Sequence, residues 1–235
     1  MRPALPLPLR PTLPSQCEVC RAWAASALCG DCVARYAAPQ PRCARCGLRL
    51  GLAAAMCGDC LRDAPPFTHT VCAADYVFPW DHLIAAFKFY GRAELGTVLA
   101  QRMVDAWRQA PWPPPQIVLP IPLAPARLAE RGYNQAWELA RRAARALGVP
   151  AHAALLLRHL DTAHQAELNR AERQRNLRTA FMVEPRHRPR IEGLRVALVD
   201  DVMTTGATAR EASAVLLRAG AAAVDIWVLA RTPER

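Results

Sequence analysis

The sequence predicts an α/β protein in which a parallel sheet is flanked by helices and preceded by a small metal-binding module. Apolar runs of strand length alternate with longer stretches of helical periodicity, a pattern typical of parallel sheets. Four Cys-x-x-Cys pairs precede this pattern. A chain of 235 residues is long enough for one full domain and a small second one.

Eight of the nine cysteines form the four pairs, which all fall between residues 17 and 60. Two residues between thiolates let one tight turn present both sulfurs to a tetrahedral ion, which predicts a double zinc ribbon with two structural zinc ions. The predicted ligands are Cys17, Cys20, Cys29, Cys32, Cys43, Cys46, Cys57 and Cys60. Structural disulfides are the alternative, although they are rare in cytoplasmic proteins.

The simplest assignment gives the first four cysteines to one ion and the last four to the other, and an interleaved cross-brace is the alternative. Four protein ligands close the coordination sphere, so the metal is predicted to be structural rather than catalytic. The segment is poor in apolar residues, and zinc binding would supply its folding free energy. Cys72 is left over and is expected to be a buried apolar residue.

Four segments are predicted along the chain: a proline-rich tail at 1–16, the ribbons at 17–62, a linking hood at 63–92 and the main domain at 93–235. Within the hood, THTVCAADYVF predicts a strand and WDHLIAAFKFY predicts an amphipathic helix. The main domain opens with a helical stretch over 93–110, which the breaker PWPPP ends.

A strand over 116–119 then runs into the proline-set loop PIPLAP. A helix is predicted over 134–147, and strands over 151–159, 178–183 and 222–230. The polar stretch at 160–176 predicts either a short solvated helix or a mobile lid that closes over a ligand.

Residues 194–220 carry the strongest signal in the chain. An apolar run over 194–199 predicts a buried strand, and Asp200 and Asp201 stand where it ends. A loop rich in threonine follows, and then a helix that is expected to end at Gly220. The free amides at a helix N-terminus favour an anion, and Gly206 lets the backbone approach it closely. The acids suit a ligand that also offers hydroxyls or brings a divalent cation, so a sugar phosphate is predicted.

The motif VALVDDVMTTGAT resembles the phosphoribosyl pyrophosphate (PRPP) motif of type I phosphoribosyltransferases. The resemblance implies that Asp200 and Asp201 hold the ribose hydroxyls and that the loop holds the 5′-phosphate of PRPP bound with Mg²⁺. It also implies that the proline-set loop at 120–122, with the arginines that follow, cradles the pyrophosphate. The implied binding residues are Asp200, Asp201, Val202, Met203, Thr204, Thr205, Gly206, Ala207, Thr208, Pro120, Ile121, Pro122, Gln165 and Arg173. An unrelated Rossmann-like turn is the alternative, whereas the absence of GxxxxGK[ST] excludes a P-loop.

Taken in order, residues 17–232 resemble the ComF family of competence-type phosphoribosyltransferase-like proteins. The resemblance rests on the cysteines, the PRPP motif, FKFYGR at 87–92, PIPL at 120–123, RGYNQA at 131–136, Thr162, Gln165, Arg173, Asn176 and Phe181. It implies a double zinc ribbon on a type I phosphoribosyltransferase fold and a role in handling incoming DNA. The residues expected to carry any transfer reaction are Asp200, Asp201, Lys88 and Arg131.

Three functions are compatible with these expectations. The first is an enzyme that displaces pyrophosphate from PRPP, and the second is a component of the DNA-uptake machinery that binds single-stranded DNA and keeps PRPP as a ligand or its site as a relic. The third is nucleobase salvage, which needs no zinc ribbon. A formal charge of +10 suits nucleic acid or a polyphosphate. No apolar run is long enough to span a membrane, and a cytoplasmic location is expected.

Overall fold

The structure, a computed structural model, describes residues 15–51, 54–158 and 180–233. The chain divides into two compact units, Met1–Ala38 and Pro39–Arg235. The two groups of four cysteines therefore fall in different units, and the segment boundaries predicted from the sequence stay a prediction. Most of the proline-rich tail and the stretch at 160–176, which includes Gln165 and Arg173, lie outside the described residues.

The first unit is built around its four cysteines. Strand β1 (Ser15–Gln16) pairs antiparallel with strand β2 (Trp23–Ala24), and helix α1 spans Gly30–Tyr36. Cys29 is the N-cap of α1, and its sulfur accepts a hydrogen bond from the Cys32 amide at 3.4 Å. The helix start therefore positions two of the four thiols.

The second unit contains the remaining strands and helices of the described residues. In chain order these are α2 (Gly58–Arg62), β3 (Thr70–Asp75), α3 (Trp80–Phe89), α4 (Leu95–Arg108), β4 (Ile117–Pro120), α5 (Pro125–Arg131), α6 (Gln135–Leu147), β5 (Leu156–Arg158), β6 (Phe181–Val183), a 3-10 helix (Pro185–Arg190), β7 (Arg195–Met203), α7 (Ala207–Arg218) and β8 (Ala223–Arg231).

A four-stranded parallel sheet forms the centre of this unit, in the order β3-β8-β7-β4. Strand β8 is buried over its whole length because it lies between two neighbours and under helices on both sides. Because all four strands are parallel, their carboxyl ends meet at one edge of the sheet, which is where α/β folds bind ligands. The sheet and its flanking helices confirm the predicted fold class.

Helices cover both faces of the sheet. Helix α7 packs with β6 on the face that presents Leu198, Ile226 and Val228. Helices α4 and α6 pack against each other and on the other face, where Trp107 of α4 stacks on Trp227 at a centroid distance of 5.8 Å. Alternate residues of β8 therefore contact different helices, as the two-residue period of a strand requires.

Three elements differ from the sequence prediction. Strand β7 continues through both acids to Met203, because β8 keeps pairing with it as far as Arg231. Strand β5 spans only Leu156–Arg158 of the predicted 151–159. Residues after the PIPL loop form the short helix α5, which starts at Pro125, a residue whose fixed φ suits the first turn of a helix.

Candidate functional site

The site lies where β7 ends and α7 begins. Gly206 is the N-cap of α7 with φ +81°, a left-handed conformation that other residues adopt at a cost. The Thr205 hydroxyl accepts a hydrogen bond from the Ala207 amide at 3.3 Å. The N-cap Gly206 has no side chain to satisfy the amides that follow Ala207, so the helix start is available to an external anion.

A cleft of about 360 Å³, part of it open to solvent, surrounds this helix start. Its lining residues share one edge of the sheet and are Ile121, Asp200, Val202, Met203, Thr204, Thr205, Gly206, Ala207, Thr208, Ala209, Ile226 and Val228. The structure thus brings most of the predicted PRPP-binding residues to one cleft, together with the PIPL residue Ile121.

The two acids point to opposite faces of the sheet, because consecutive residues of a strand alternate. Asp200 lines the cleft, whereas the buried Asp201 pairs with Lys88 of α3, with 2.8 Å between Nζ and Oδ1. The side chains of Lys88 and Asp201 are only 16% and 10% exposed. The lone lysine of the chain therefore contacts the acidic motif directly.

Asp200 has a perturbed acidity. Burial and the neighbouring Asp201 charge raise the pKa of Asp200 from 3.8 to about 7, although Lys88 and Arg158 act in the opposite direction. Its carboxylate also accepts a hydrogen bond from the Asp201 amide at 2.8 Å. A carboxyl group that titrates near neutrality in a cleft is typical of a functional site.

The motif RGYNQA holds the end of α3 in place beside the site. The Tyr133 hydroxyl donates to the Phe87 carbonyl, and the Gln135 side-chain Nε2 donates to the Lys88 carbonyl at 3.4 Å. The Asn134 side chain donates to the Ile121 carbonyl at 3.0 Å, and its oxygen accepts from the Trp137 amide at the start of α6. One turn therefore fixes both the helix that carries Lys88 and the PIPL loop.

The remaining predicted residues are placed nearby. The Arg131 guanidinium lies over the Phe89 ring at 5.0 Å and donates to the Gln135 side chain at 3.2 Å. Pro120 ends β4 and Pro122 follows it, and both are buried. These contacts hold Arg131 between Phe89 and Gln135, and its role toward a pyrophosphate stays a prediction.

The cysteines form two separate clusters, one per unit, in the simple sequential grouping. Cys17, Cys20, Cys29 and Cys32 make up the first, and Cys43, Cys46, Cys57 and Cys60 the second, with all ligand atoms of a cluster within 4.8 Å of one another. The Cys20–Cys29 and Cys46–Cys57 sulfur pairs are 3.6 Å apart. Tetrahedral zinc with bonds of about 2.3 Å requires roughly 3.8 Å between sulfurs, so both clusters could hold structural zinc.

Backbone amides surround the first sulfur of each cluster. Burial disfavours the thiolates, but amide hydrogen bonds outweigh it and lower the pKa of Cys17 to about 6 and that of Cys43 to about 7. Cys29 donates its amide to the Cys17 sulfur at 3.4 Å, and Cys57 does the same to the Cys43 sulfur at 3.3 Å. Metal ligands must be deprotonated, so these donors favour the metal-binding form.

Two arginines belong to the site although the sequence analysis did not single them out. Arg158, at the end of β5, acts electrostatically on Asp200 and lies over the Phe181 ring at 5.3 Å. Arg231, at the end of β8, donates to the carbonyl oxygens of Met203, Thr204 and Thr232. In an arginine-rich sequence only the folded structure reveals that these two lie beside the motif.

The chain is similar to bacterial proteins whose names refer to DNA utilization or competence. The chain is 36% identical to the "DNA utilization protein YhgH" of Salmonella typhi over 228 residues, which cover 94% of this chain and 99% of the relative. It is 34% identical to "Competence protein F" of Haemophilus influenzae, covering 88% of this chain and 92% of the relative. The chain belongs to the ComF family. "Competence protein ComFC" of Bacillus subtilis is 33% identical over 63% of this chain and 58% of that protein.

Other comparisons add less to the ComF assignment. No protein-family model matches the chain. Similar solved structures include a glutamine PRPP amidotransferase from Bacillus subtilis (24% identity, TM-score 0.38, 57% of this chain and 25% of that one). An adenine phosphoribosyltransferase from Leishmania tarentolae is 17% identical with a TM-score of 0.37, covering 60% of this chain and 58% of that one. These TM-scores are low, and the fold class rests on the sheet and the cysteine clusters themselves.

Within the described part of the chain, no helix combines the length and the apolar character needed to cross a bilayer.

Proposed function

We propose that this ComF protein binds PRPP with Mg²⁺ at the carboxyl end of β7 and transfers its phosphoribosyl group to an acceptor, in a process linked to the uptake or use of DNA. One observation carries the proposal: the Asp200 cleft, the start of α7 and the Lys88–Asp201 pair lie together at one edge of the parallel sheet. The names of the relatives, which refer to competence and DNA utilization, support the link to DNA.

Each part of the cleft has a chemical task in this proposal. The amides and hydroxyls at 204–208 would hold the 5′-phosphate, and Asp200 would accept hydrogen bonds from ribose hydroxyls. Asp201 would lie on the other side of the strand, where it pairs with Lys88. Breaking the glycosidic bond to pyrophosphate develops positive charge on the ribose, so carboxylates placed around it stabilise the transition state.

Oxygen ligands suit the divalent cation that accompanies PRPP, and the chain offers the Asp200 carboxylate in the cleft. When bound, Mg²⁺ neutralises charge on the leaving pyrophosphate. Arg131 and the PIPL loop would contact the pyrophosphate itself, and Gln165 and Arg173 would add contacts from the stretch outside the described residues.

The test is calorimetric titration of the zinc-loaded protein with PRPP and Mg²⁺. We expect Asp200→Asn to weaken PRPP binding by roughly 10- to 150-fold, since a hydrogen bond to a charged group contributes about 1.5–3 kcal/mol. Arg108→Gln, on the exposed end of α4, serves as the control and should bind like wild type. An Asp200→Asn affinity within about twofold of wild type would remove the site from the proposal.

Pyrophosphate release measured with and without an oligonucleotide then separates the remaining alternatives. Release that depends on a free purine or pyrimidine base would identify a salvage enzyme. PRPP binding without release under any condition would identify a non-catalytic protein with a relic PRPP site. Release stimulated by single-stranded DNA is the result expected for an enzyme that acts in DNA handling.

Binding of single-stranded DNA by the ribbons is the second candidate function. Trp23 is 71% exposed in the first unit, where the Arg35 guanidinium also lies over the Tyr36 ring at 5.3 Å. Exposed aromatic rings among arginines are suited to stacking with bases along a charged backbone.

We also propose that both cysteine clusters hold zinc in the cytoplasm, where thiols stay reduced and PRPP is available. Metal analysis of the purified protein should return two zinc ions per chain. Disulfides in place of free thiols, or protein that folds without metal, would rule this out.

A further inference from the structure

Arg231 contacts both the second cysteine cluster and the loop of the candidate site. Its Nε donates to the Cys46 carbonyl at 3.1 Å. Its Nη1 donates to the carbonyl oxygens of Met203 at 3.3 Å and Thr232 at 2.9 Å, and to that of Thr204. The residue is 9% exposed, and no carboxylate of the described residues pairs with it.

Arg231 thus bridges the site loop and the turn that contains Cys46, and further hydrogen bonds hold this turn in place. The Ala44 carbonyl accepts from the Thr70 amide at 2.9 Å, the Arg45 carbonyl accepts from the Thr70 hydroxyl, and the Gly47 carbonyl accepts from Arg42 at 3.2 Å. Every one of these carbonyls belongs to the turn between Cys43 and Leu48, which we call the second knuckle. The knuckle therefore lies against the start of β3 through its backbone.

We infer that metal occupancy of the second cluster sets the conformation of the loop at 203–206 through Arg231. A bound ion would fix the sulfurs of Cys43 and Cys46 and with them the knuckle carbonyls. Through its hydrogen bonds, Arg231 then fixes the carbonyl groups of Met203 and Thr204, where β7 ends and the loop begins. A planar guanidinium donates in fixed directions from several nitrogens, so it can hold both sides at once.

Arg231 also brings a buried positive charge to a loop that faces an anion in the proposed function. In a site of low dielectric this charge adds to the effect of the α7 N-terminus. Arg231 is thus a positioning residue, because it acts on the ligand through the loop. The part of the inference that concerns PRPP affinity rests on the proposed function, whereas the part that concerns the loop does not.

Hydrogen–deuterium exchange of the zinc-loaded full chain, without ligand, tests the bridge directly. We expect Arg231→Lys to speed exchange over 203–208 at least about tenfold, because an ammonium is a point charge that cannot span both sides. Arg195→Gln is the matched control: Arg195 pairs with Asp225 at 2.9 Å at the opposite end of the same two strands. That variant should leave exchange over 203–208 unchanged.

The metal is tested with equivalent ligands of the two clusters. Cys46→Ser should raise exchange over 203–208, whereas Cys20→Ser should not, because no part of the Arg231 bridge lies in the first unit. If Cys46→Ser raises exchange over β4 and β8 as well, that variant has unfolded. The exchange measured for Arg231→Lys then tests the inference by itself. Exchange over 203–208 within about twofold of wild type in both Arg231→Lys and Arg231→Gln would overturn the inference.

A second experiment uses calorimetry to establish that PRPP and Mg²⁺ bind, and then measures how fast the second cluster loses zinc. Coupling between sites is reciprocal, so PRPP should slow the loss of zinc from the second cluster to a zinc-selective chelator, and Arg231→Lys should abolish that protection. If the wild type fails to bind PRPP, the proposed function fails while the exchange experiment still decides the role of Arg231. If the wild type binds PRPP and Arg231→Lys retains the protection, the coupling itself is wrong.

Discussion

Lys88 is the single lysine of a chain that contains 29 arginines. The structure places its ammonium 2.8 Å from Asp201 in a setting where both side chains are largely buried. An ammonium is a compact point charge, whereas a guanidinium is a broad plane that needs several acceptors. At this position the identity of the cation, and not only its charge, is therefore expected to matter.

We predict that Lys88→Arg weakens PRPP binding or turnover at least ~10-fold, which corresponds to about 1.4 kcal/mol. The larger head group would displace Asp201 or project into the cleft, while the conserved charge keeps thermal stability close to that of wild type. Calorimetry and a thermal melt measure the two effects separately. Arg92→Lys, in the same FKFYGR stretch but in an exposed ion pair with Glu94, is the control. Wild-type affinity in Lys88→Arg would show that the lone lysine has no special role.

Asp200 gives a prediction for the dependence of stability on pH. Its pKa is about 7 in the folded protein and 3.8 ordinarily, so the folded state holds a proton that the unfolded chain releases. Stability from this group is present at low pH and is lost as the pH rises through about 7. Asp200→Asn should therefore gain stability relative to wild type between pH 5.5 and 8, by roughly 2 kcal/mol at most.

Urea unfolding of ligand-free protein at several pH values measures this difference. Asp105→Asn, which changes a carboxylate of α4 away from the cleft, is the control for the loss of a carboxylate outside the site. A pH-independent difference between Asp200→Asn and wild type would contradict the raised pKa of Asp200.

At the scale of elements, the second knuckle and β3 fit together closely. Gly47 has φ +69°, and a Cβ added there would come within 2.8 Å of the Thr70 methyl group and 3.3 Å of the Cys72 Cβ. Arg42 reinforces the contact by donating to Asp75 at 2.7 Å. A glycine at this position therefore permits the close approach as well as the turn.

We predict that Gly47→Ala destabilises the protein by about 1–2 kcal/mol from backbone conformation alone, and by more if Thr70 cannot move. Gly58→Ala is the control, since the structure leaves open space around that Cα in the same cluster. Thermal melts of the two zinc-loaded variants provide the comparison. Equal melting temperatures would show that the knuckle is not held against β3.

Most of these elements could be predicted from the sequence, but the contacts between them could not. The Cys-x-x-Cys spacing predicted both clusters, and the apolar runs predicted the sheet. Ending β7 at Val199 hid the alternation that sends Asp200 and Asp201 to opposite faces. The Lys88–Asp201 and Arg231–Cys46 contacts join residues more than 100 positions apart, and no local pattern encodes them.

At the scale of the whole molecule, the charge is strongly positive. Two zinc ions bound by four thiolates each would lower the formal charge from +10 to +6. A basic protein of this kind attracts polyanions, and each phosphate that it neutralises releases counterions. The affinity of the protein for nucleic acid should therefore depend strongly on the salt concentration.

We predict that single-stranded DNA binds with an affinity that falls as salt is raised. Trp23→Ala should lose about 1–3 kcal/mol of binding free energy if this ring stacks on a base, and Trp23→Phe should retain most of it. Fluorescence anisotropy with a labelled oligonucleotide at several salt concentrations measures both effects. Salt-independent binding, or equal affinities for Trp23→Ala and wild type, would place DNA elsewhere or nowhere on the protein.

The scarcity of lysine also makes the protein unusually easy to observe. Apart from the chain terminus, Lys88 carries the one primary amine of the molecule. Reductive methylation with isotope-labelled formaldehyde would thus create a single side-chain probe for magnetic resonance. Because this amine pairs with Asp201, its chemical shift would follow every event at the acidic motif. An arginine-rich composition has in effect left the protein with its own reporter group at the position of greatest interest.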